Sequence, residues 1–198
     1  NFIRNEVSIR TQFAYLSDPK LIDSDLESGM YTEELIDALP WNRIFDMNIK
    51  KTALKQAQEA LKRLYRDTSQ VCQVSDWADK LELRLEAAVN QLPSCFTNPE
   101  KEEICSLFKK LDELIVGGKS QLIEIAQSHG DFQPANIMVT VKGGANKLYL
   151  IDWEYSAPRY RLYDAMVFAS RSRAPLGLSS RLNSLVKKDL VHSLSCGW

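Results

Sequence analysis

Residues 129–136 read His-Gly-Asp-Phe-Gln-Pro-Ala-Asn, and residues 150–154 read Leu-Ile-Asp-Trp-Glu. Transfer of a phosphoryl group from a nucleotide needs a carboxylate beside the attacking hydroxyl and oxygen ligands for Mg²⁺. The side chains of Asp131, Asn136 and Asp152 supply such groups. The spacing of Asp131 and Asn136 matches the H-R-D-x-x-x-x-N loop, in which the Asp accepts the hydroxyl proton and the Asn binds a metal. The two stretches therefore indicate chemistry on a phosphate group.

The segment between the two stretches has the pattern of a β-hairpin. Apolar residues at 137–141 and 148–153 flank a turn-forming segment at 142–147. A phosphate-binding loop is the alternative interpretation of the two glycines in this turn, but no GxGxxG or GxxxxGK[ST] pattern surrounds them. Because a hairpin brings its ends together, we expect it to return Asp152 to the metal that Asn136 binds.

A polar turn with an Asx-type cap is the alternative interpretation of Asp131 and Asn136. This alternative leaves the matched segment around Asp152 unexplained. We therefore prefer the phosphoryl-transfer hypothesis.

These motifs resemble those of the aminoglycoside phosphotransferase and choline kinase superfamily, small-molecule kinases that share the protein-kinase-like fold. Residues 129–136 are similar to the HGDxxxxN loop of that superfamily, and residues 151–154 to its metal-binding I-D-[FW]-E segment. The Glu-Tyr-Ser stretch at 154–156 and the Tyr-Arg-Leu-Tyr-Asp stretch at 160–164 resemble its choline-kinase-like members. The likeness extends over most of the chain, but its specific motifs lie within residues 129–164.

The resemblance implies a role for each polar residue of the motifs. Asp131 would be the catalytic base, or would position the substrate hydroxyl. Asn136 and Asp152 would bind Mg²⁺, and ATP would be the phosphate donor. His129 would bind the backbone of the catalytic loop as a structural histidine rather than a proton carrier, and Asp164 would stabilise the same loop from the next helix.

The resemblance also implies an acceptor site, for which Glu154, Tyr155 and Arg161 are the candidates. The expected acceptor is an amino alcohol, a sugar or an aminoglycoside-like molecule. Aromatic faces enclose quaternary ammonium groups. The aromatic residues available for this are Trp153, Tyr155, Tyr160 and Tyr163. Packing of these aromatic residues in the core explains them at least as well, so the substrate stays open.

The first forty residues predict a small α+β portion. The stretch from Ile3 to Leu16 has helical spacing, whereas residues 20–23 and 30–36 predict two strands with a polar connection. By the resemblance, this portion is the remnant of a small lobe that runs into an adenine-binding hinge. Backbone groups near Glu33 and Leu35 would contact the adenine.

Glu6 on the predicted first helix is a candidate for the glutamate that pairs with a phosphate-anchoring lysine. A solvated position on the helix surface is the alternative, because one acid carries little information. The sequence starts without Met, and neither a glycine-rich loop nor a lysine-bearing strand precedes Glu6. We therefore expect an N-terminally truncated chain whose small lobe lacks its first strands, numbered from inside a longer gene product or after removal of a leader.

Three amphipathic helices are predicted in the remainder, with apolar faces at residues 54–65, 77–92 and 104–115. Helical spacing alone explains these faces, so a common core is favoured over a ligand-binding box. The predicted fold class is α+β and protein-kinase-like. Residues 1–40 form the small-lobe remnant, and residues 41–198 form a mostly helical large lobe that carries the catalytic-loop hairpin.

Composition argues against several classes of protein. The 198 residues include 25 Lys and Arg against 26 Asp and Glu, which argues against an electrostatic nucleic-acid binder because no surplus of cations exists, and a local basic patch stays open. The four cysteines lack CxxC spacing and only two histidines accompany them, which disfavours a zinc site and fits reduced thiols in a cytoplasmic protein. No apolar run approaches the roughly 18 residues of a membrane span. The expected partners are a nucleotide and a small molecule, and the oligomeric state stays open.

Two hypotheses of function follow. The first is an ATP- and Mg²⁺-dependent phosphotransferase that acts on a hydroxyl of a small molecule. The second is a catalytically silent kinase-like remnant that binds a partner or a nucleotide.

Overall fold

The chain divides into two compact units. The first comprises residues 1–69 and 126–198, and the second comprises residues 70–125. The predicted division after residue 40 stays a prediction. The computed structural model describes residues 2–16, 19–76, 97–99, 102, 106, 121–140, 146–171, 174, 176–178, 180, 181 and 183.

Helix α1 spans Phe2–Gln12 and is shorter than predicted. Residues 13–16 form a turn in which the Leu16 amide donates to the Phe13 carbonyl at 2.8 Å. This turn buries the side chains of both Phe13 and Leu16. The apolar residues that suggested a longer helix therefore pack from a turn, and the prediction of helix up to Leu16 is wrong for the last four residues.

Strands β1 (Leu21–Asp25) and β2 (Met30–Glu33) pair antiparallel, with Asp25 opposite Met30. The carboxylate of Asp25 accepts hydrogen bonds from the amides of Glu27 and Ser28 at 3.0 and 3.2 Å, which stabilises the connecting turn. The predicted strand pair is confirmed, but β2 ends at Glu33 instead of Ile36.

Helix α2 spans Met47–Thr68 and begins with a side-chain cap. The carboxylate of Asp46 accepts from the amides of Asn48 and Ile49 at 2.7 and 3.2 Å, so it satisfies two donors that the helix itself leaves free. This helix was predicted and is confirmed. Its buried face consists of Ala53, Ala57, Leu61, Leu64 and Tyr65. The helices predicted at 77–92 and 104–115 lie outside the described residues.

Strands β6 (Ile137–Val139) and β7 (Leu148–Leu150) form the predicted hairpin, and a short strand β3 (Leu39–Pro40) pairs with the other edge of β6. Helix α2 packs against β6 and β7. The alternating burial of β6 and the complete burial of β7 place this hairpin in the main hydrophobic core.

Three further strands and a helix complete the described elements. In the second unit, β4 (Gln70–Gln73) pairs antiparallel with the first four residues of β5 (Leu122–Ser128). In the first unit, the hydroxyl of Ser128 donates to the carbonyl of Ala157, in strand β8 (Ala157–Tyr160), at 2.8 Å. Helix α3 follows at Tyr163–Ser170. The sequence pattern did not predict these three strands. Within the described ranges, no helix has the length and apolar character that a membrane crossing requires.

Candidate active site

The register of the β6–β7 hairpin brings Asn136 close to the residues around Asp152. Ile137 lies opposite Leu150, and one step further the Ile151 amide donates to the Asn136 carbonyl at 3.1 Å. Asn136 enters β6 at the same end of the hairpin at which the chain leaves β7. The antiparallel ladder therefore produces the convergence that the sequence predicts.

The carboxylate of Asp131 is held by two side-chain amides. Gln133 donates to its Oδ2 at 3.0 Å, and Asn136 donates to the same oxygen at 3.3 Å and to the Asp131 backbone carbonyl at 3.0 Å. Asp131 is 7% exposed. Its carboxylate is therefore oriented before any substrate arrives.

Asp164, at the start of α3, fixes the backbone that leads into Asp131. Its carboxylate accepts from the amides of His129 and Gly130 at 2.8 and 2.9 Å, and from the hydroxyl of Tyr65 at 2.7 Å. Burial, reinforced by the charge of Asp164, raises the pKa of Tyr65 well above its ordinary value, so this hydroxyl remains a donor. Because Asp164 is fully buried, the three hydrogen bonds are shielded from water.

His129 is fully buried beneath the loop, with its ring centroid 4.3 Å from that of Trp153. The Asp131 amide donates to its Nδ1 at 3.3 Å, which is the contact with the loop backbone that the resemblance implies. Burial lowers the pKa of His129 although the charge of Asp164 opposes this effect, so the ring is neutral at physiological pH. A neutral ring that accepts through Nδ1 is suited to a structural role.

Gly130 occupies a position that no other residue fits. Its φ is +90°, and a Cβ there would lie 2.1 Å from the carbonyl oxygen of Tyr155 and 2.8 Å from Nη1 of Arg159. The glycine thus permits the loop at 129–136, called the catalytic loop below, to pack directly on the backbone that follows Asp152.

Asp152 lies among other acidic groups. Desolvation raises the pKa of its carboxyl, and the charge of Glu154 raises it further, followed by smaller contributions from Asp131 and Glu33, whereas His129 acts in the opposite direction. The residue has a φ of 64°, in the left-handed region that is uncommon for residues other than glycine. A bound cation would relieve the repulsion between these carboxylates.

The donor set fits Mg²⁺. The amide nitrogen of Asn136 is engaged with Asp131, so its amide oxygen is the side-chain atom that would bind a cation. No three His, Cys, Asp or Glu side chains form a metal-binding group within the part of the chain that the structure describes. Mg²⁺ is commonly bound by one or two protein oxygens, with water and substrate phosphates completing its octahedron, so Asn136 and Asp152 suffice.

Glu6 is buried on α1, with 4% of its surface exposed, and the alternative of a solvated acid is therefore wrong. Its partner among the described residues is Arg10, whose Nη1 lies 3.3 Å from Glu6 and 2.7 Å from the carboxylate of Glu33. Burial raises the pKa of Glu6 to about 7, although Arg10 and the backbone amide of Trp153 act in the opposite direction. A pairing of Glu6 with a lysine stays a prediction.

The remaining predicted residues are exposed or half-buried. Leu35 is 97% exposed, and the Tyr155 ring contacts the Phe2 ring in a tilted arrangement with centroids 5.2 Å apart. Arg161 is exposed in the turn before α3. The roles predicted for these residues and for Glu33 and Glu154 stay predictions. Trp153 is fully buried, which supports the packing interpretation of this aromatic residue.

Several residues that build the site were not predicted. The Ser156 hydroxyl donates to the Ser128 carbonyl at 2.5 Å and accepts from the side chain of Gln127 at 2.8 Å. Arg159 donates to the Ser128 hydroxyl at 2.7 Å and to the Tyr155 carbonyl at 2.8 Å. The contacts of Ser128 and Gln127 join residues 28 to 31 positions apart in sequence, so local spacing carries no signal for them. Among these unpredicted residues, only Ser156 belongs to one of the motifs described above, the Glu-Tyr-Ser stretch at 154–156.

A family model described as the phosphotransferase enzyme family matches residues 19–183, well over half of the chain. The chain belongs to this family. The predicted resemblance to aminoglycoside phosphotransferases and choline kinases is thereby confirmed. A comparison with curated protein sequences found no match.

Three solved structures that are similar to this chain carry the names of small-molecule kinases. A choline kinase from Streptococcus pneumoniae is 21% identical with a TM-score of 0.51, and the match covers 91% of this chain and 60% of that one. A glucosamine kinase in complex with glucosamine, ADP and inorganic phosphate is 12% identical with a TM-score of 0.45, covering 93% and 58%. An ethanolamine kinase from Plasmodium vivax is 19% identical with a TM-score of 0.44, covering 89% and 53%.

The likeness to the choline kinase confirms the predicted kinase-like α+β fold. The chain spans at most 60% of the length of these three structures.

Proposed function

We propose that this member of the family is an ATP- and Mg²⁺-dependent phosphotransferase that phosphorylates a hydroxyl of a small molecule. The observation that carries the proposal is the grouping of Asp131, Asn136 and Asp152 at one end of the β6–β7 hairpin, on a loop anchored by Asp164. A carboxylate for the hydroxyl and oxygen ligands for a cation are the groups that phosphoryl transfer requires.

Asp131 orients the acceptor and takes its proton. Because Gln133 and Asn136 both donate to Oδ2, the carboxylate keeps one orientation and is positioned to accept a hydrogen bond from the substrate hydroxyl. The acceptor oxygen forms a bond to the γ-phosphorus of ATP while the bond from that phosphorus to the β-phosphate oxygen breaks. The hydroxyl proton passes to Asp131, and ADP leaves.

Asn136 and Asp152 would hold Mg²⁺. When bound, Mg²⁺ neutralises the phosphate charge that would otherwise repel Asp131 and Asp152. His129 stays neutral and orders the loop through Nδ1, so it adds no second proton donor beside the base. Most of the rate enhancement then comes from positioning and electrostatic stabilisation.

The nucleotide and the acceptor are assigned by the resemblance. Backbone groups near Glu33 and Leu35 receive the adenine, and Glu6 belongs to the phosphate-anchoring pair. The acceptor is an amino alcohol, a sugar or an aminoglycoside-like molecule, with Glu154, Tyr155 and Arg161 along its site. Trp153 has no part in acceptor binding because it is fully buried.

The test is transfer of labelled γ-phosphate from ATP to a panel of amino alcohols, sugars and amino sugars. Asp131→Asn keeps the volume of the side chain and removes its basicity, so we expect the turnover number to fall by at least about 100-fold. Glu59→Gln is the matched control, because this exposed residue on α2 also loses one negative charge. Equal turnover in wild type and Asp131→Asn would refute the role of the base. Binding of Mg-ATP by the wild type without transfer to any acceptor would favour the silent remnant.

A further inference from the structure

Asn5 on helix α1 binds the backbone that follows Asp152. Its side-chain amide nitrogen lies 2.8 Å from the carbonyl oxygen of Glu154, 2.8 Å from that of Ser156 and 3.5 Å from that of Trp153. One amide group therefore contacts three carbonyl oxygens of the single turn at 153–156, across more than 140 positions of sequence.

The chemistry of this contact is specific to a group with two N–H donors. The carbonyls of Glu154 and Ser156 both point at the same nitrogen, so an amide satisfies each of them with one hydrogen. A carboxylate of the same shape would place a negative charge against three carbonyl oxygens. Asn5 is thus distinguishable from an isosteric aspartate.

The turn at 153–156 is also held by Gly130 of the loop at 129–136, by Arg159 of β8 and by Ser128 of β5. Gly130 packs on the Tyr155 carbonyl, Arg159 donates to the same carbonyl at 2.8 Å, and the Ser156 hydroxyl donates to Ser128. On the α1 side, the hydrogen bonds come from Asn5, and the ring of Phe2 adds a contact with Tyr155. The turn is therefore fixed by helix α1, the catalytic loop and strands β5 and β8.

Asp152 immediately precedes this turn and has a φ of 64°. A non-glycine residue in the left-handed region persists when the surrounding structure over-determines it. We propose that Asn5 is a positioning residue, which keeps the turn at 153–156 in place and thereby holds Asp152 in its left-handed conformation. Because Asp152 is a ligand to Mg²⁺ in the proposed function, Asn5 also affects the affinity for Mg²⁺. This second part of the proposal rests on the proposed function.

Hydrogen exchange in the full chain tests the positioning role without any ligand. The Ser156 amide donates to the Trp153 carbonyl at 2.8 Å and reports on the turn. In Asn5→Asp we expect its exchange to accelerate by at least about tenfold, the equivalent of one lost hydrogen bond, with unchanged exchange in the core of α2. Asn48→Asp is the matched control, because this exposed asparagine lies in the first turn of α2, where an added negative charge is tolerated. Unchanged exchange at Ser156, or equal acceleration throughout α2, would overturn the proposal.

Binding of ATP at increasing Mg²⁺ tests the consequence for the metal. The Mg²⁺ concentration at half-saturation should rise at least about tenfold in Asn5→Asp, and should not rise further when Asn5→Asp is added to Asp152→Asn, because coupled residues are non-additive. An equal rise in both backgrounds would overturn the action through Asp152.

Failure of the proposed function and failure of the variant to fold can each be distinguished from failure of the positioning role. If wild type binds ATP without regard to Mg²⁺, the proposed function fails, whereas hydrogen exchange still decides the role of Asn5. If Asn5→Asp does not fold, Asn5→Ala provides the same readouts without the added charge. In that variant, exchange at Ser156 as slow as in wild type would overturn the proposal.

Discussion

Replacement of Asp164 by asparagine tests how the catalytic loop is anchored. The carboxylate of Asp164 is fully buried and accepts three hydrogen bonds, from the amides of His129 and Gly130 and from the hydroxyl of Tyr65. Asparagine has the same shape but only one acceptor oxygen. At least one of the three donors must then face an NH₂ group that also donates.

The expected cost follows from these contacts. A hydrogen bond to a charged group contributes about 1.5–3 kcal/mol, and a buried donor left without an acceptor costs about 1–3 kcal/mol. We therefore expect Asp164→Asn to lower the free energy of unfolding by about 3 kcal/mol. Tyr65→Phe removes a single donor and leaves both backbone bonds of Asp164 intact, so it should cost about 1 kcal/mol.

Urea denaturation of both variants and of the double variant measures these costs. The slope of the free energy against urea should stay at the wild-type value, because the exposed surface on unfolding does not change. The double variant should cost less than the sum of the single variants, since both remove parts of the same hydrogen-bonded group.

A free energy of unfolding for Asp164→Asn within about 0.5 kcal/mol of wild type, the usual range for a surface substitution, would refute the anchoring role. If Asp164→Asn is too unstable to measure, Tyr65→Phe remains available.

Three further predictions concern neighbouring positions. Gly130→Ala forces a Cβ to within 2.1 Å of the Tyr155 carbonyl oxygen at a positive φ. Urea denaturation should therefore show a free energy of unfolding about 3 kcal/mol below that of wild type. A decrease of less than about 1 kcal/mol would contradict this packing. The pKa of Glu6 is raised from 4.5 to about 7. The free energy of unfolding of wild type should therefore fall by up to about 3 kcal/mol relative to that of Glu6→Gln as pH rises from about 4.5 to 7. A difference in unfolding free energy that does not change with pH would contradict the raised pKa. Leu61→Ala, at a fully buried position of α2, should cost about 2–5 kcal/mol by the same assay, whereas a near-neutral effect would contradict the assigned core.

The sequence predicted those features that depend on local spacing. The apolar period of α2, the hairpin of β6 and β7 and the strand pair near the N-terminus are each readable from a window of a few residues. The helical pattern failed at Phe13 and Leu16 because a turn buries the same apolar side chains as another helical turn would. Local periodicity reports burial and not the continuity of the helix.

The features of the candidate site likewise divide into those that local spacing predicts and those that it does not. The spacing of Asp131, Asn136 and Asp152 was visible because the hairpin that joins them is a local structure. The burial of Glu6 was not visible in the sequence, because it depends on packing against the residues after Asp152, nearly 150 positions away. The bonds of Asn5 to backbone carbonyls leave no pattern in sequence, because any residue at positions 153–156 offers the same acceptors.

The most direct test of the proposed function is calorimetric titration of ATP into wild type and Asp152→Asn, each with Mg²⁺ and with EDTA. We predict that wild type binds ATP tightly only when Mg²⁺ is present, and that Asp152→Asn binds Mg-ATP at least about tenfold more weakly because a ligand to the cation is lost. Equal affinity in the two proteins, or binding by wild type that is unaffected by EDTA, would contradict the proposed metal-dependent phosphotransferase.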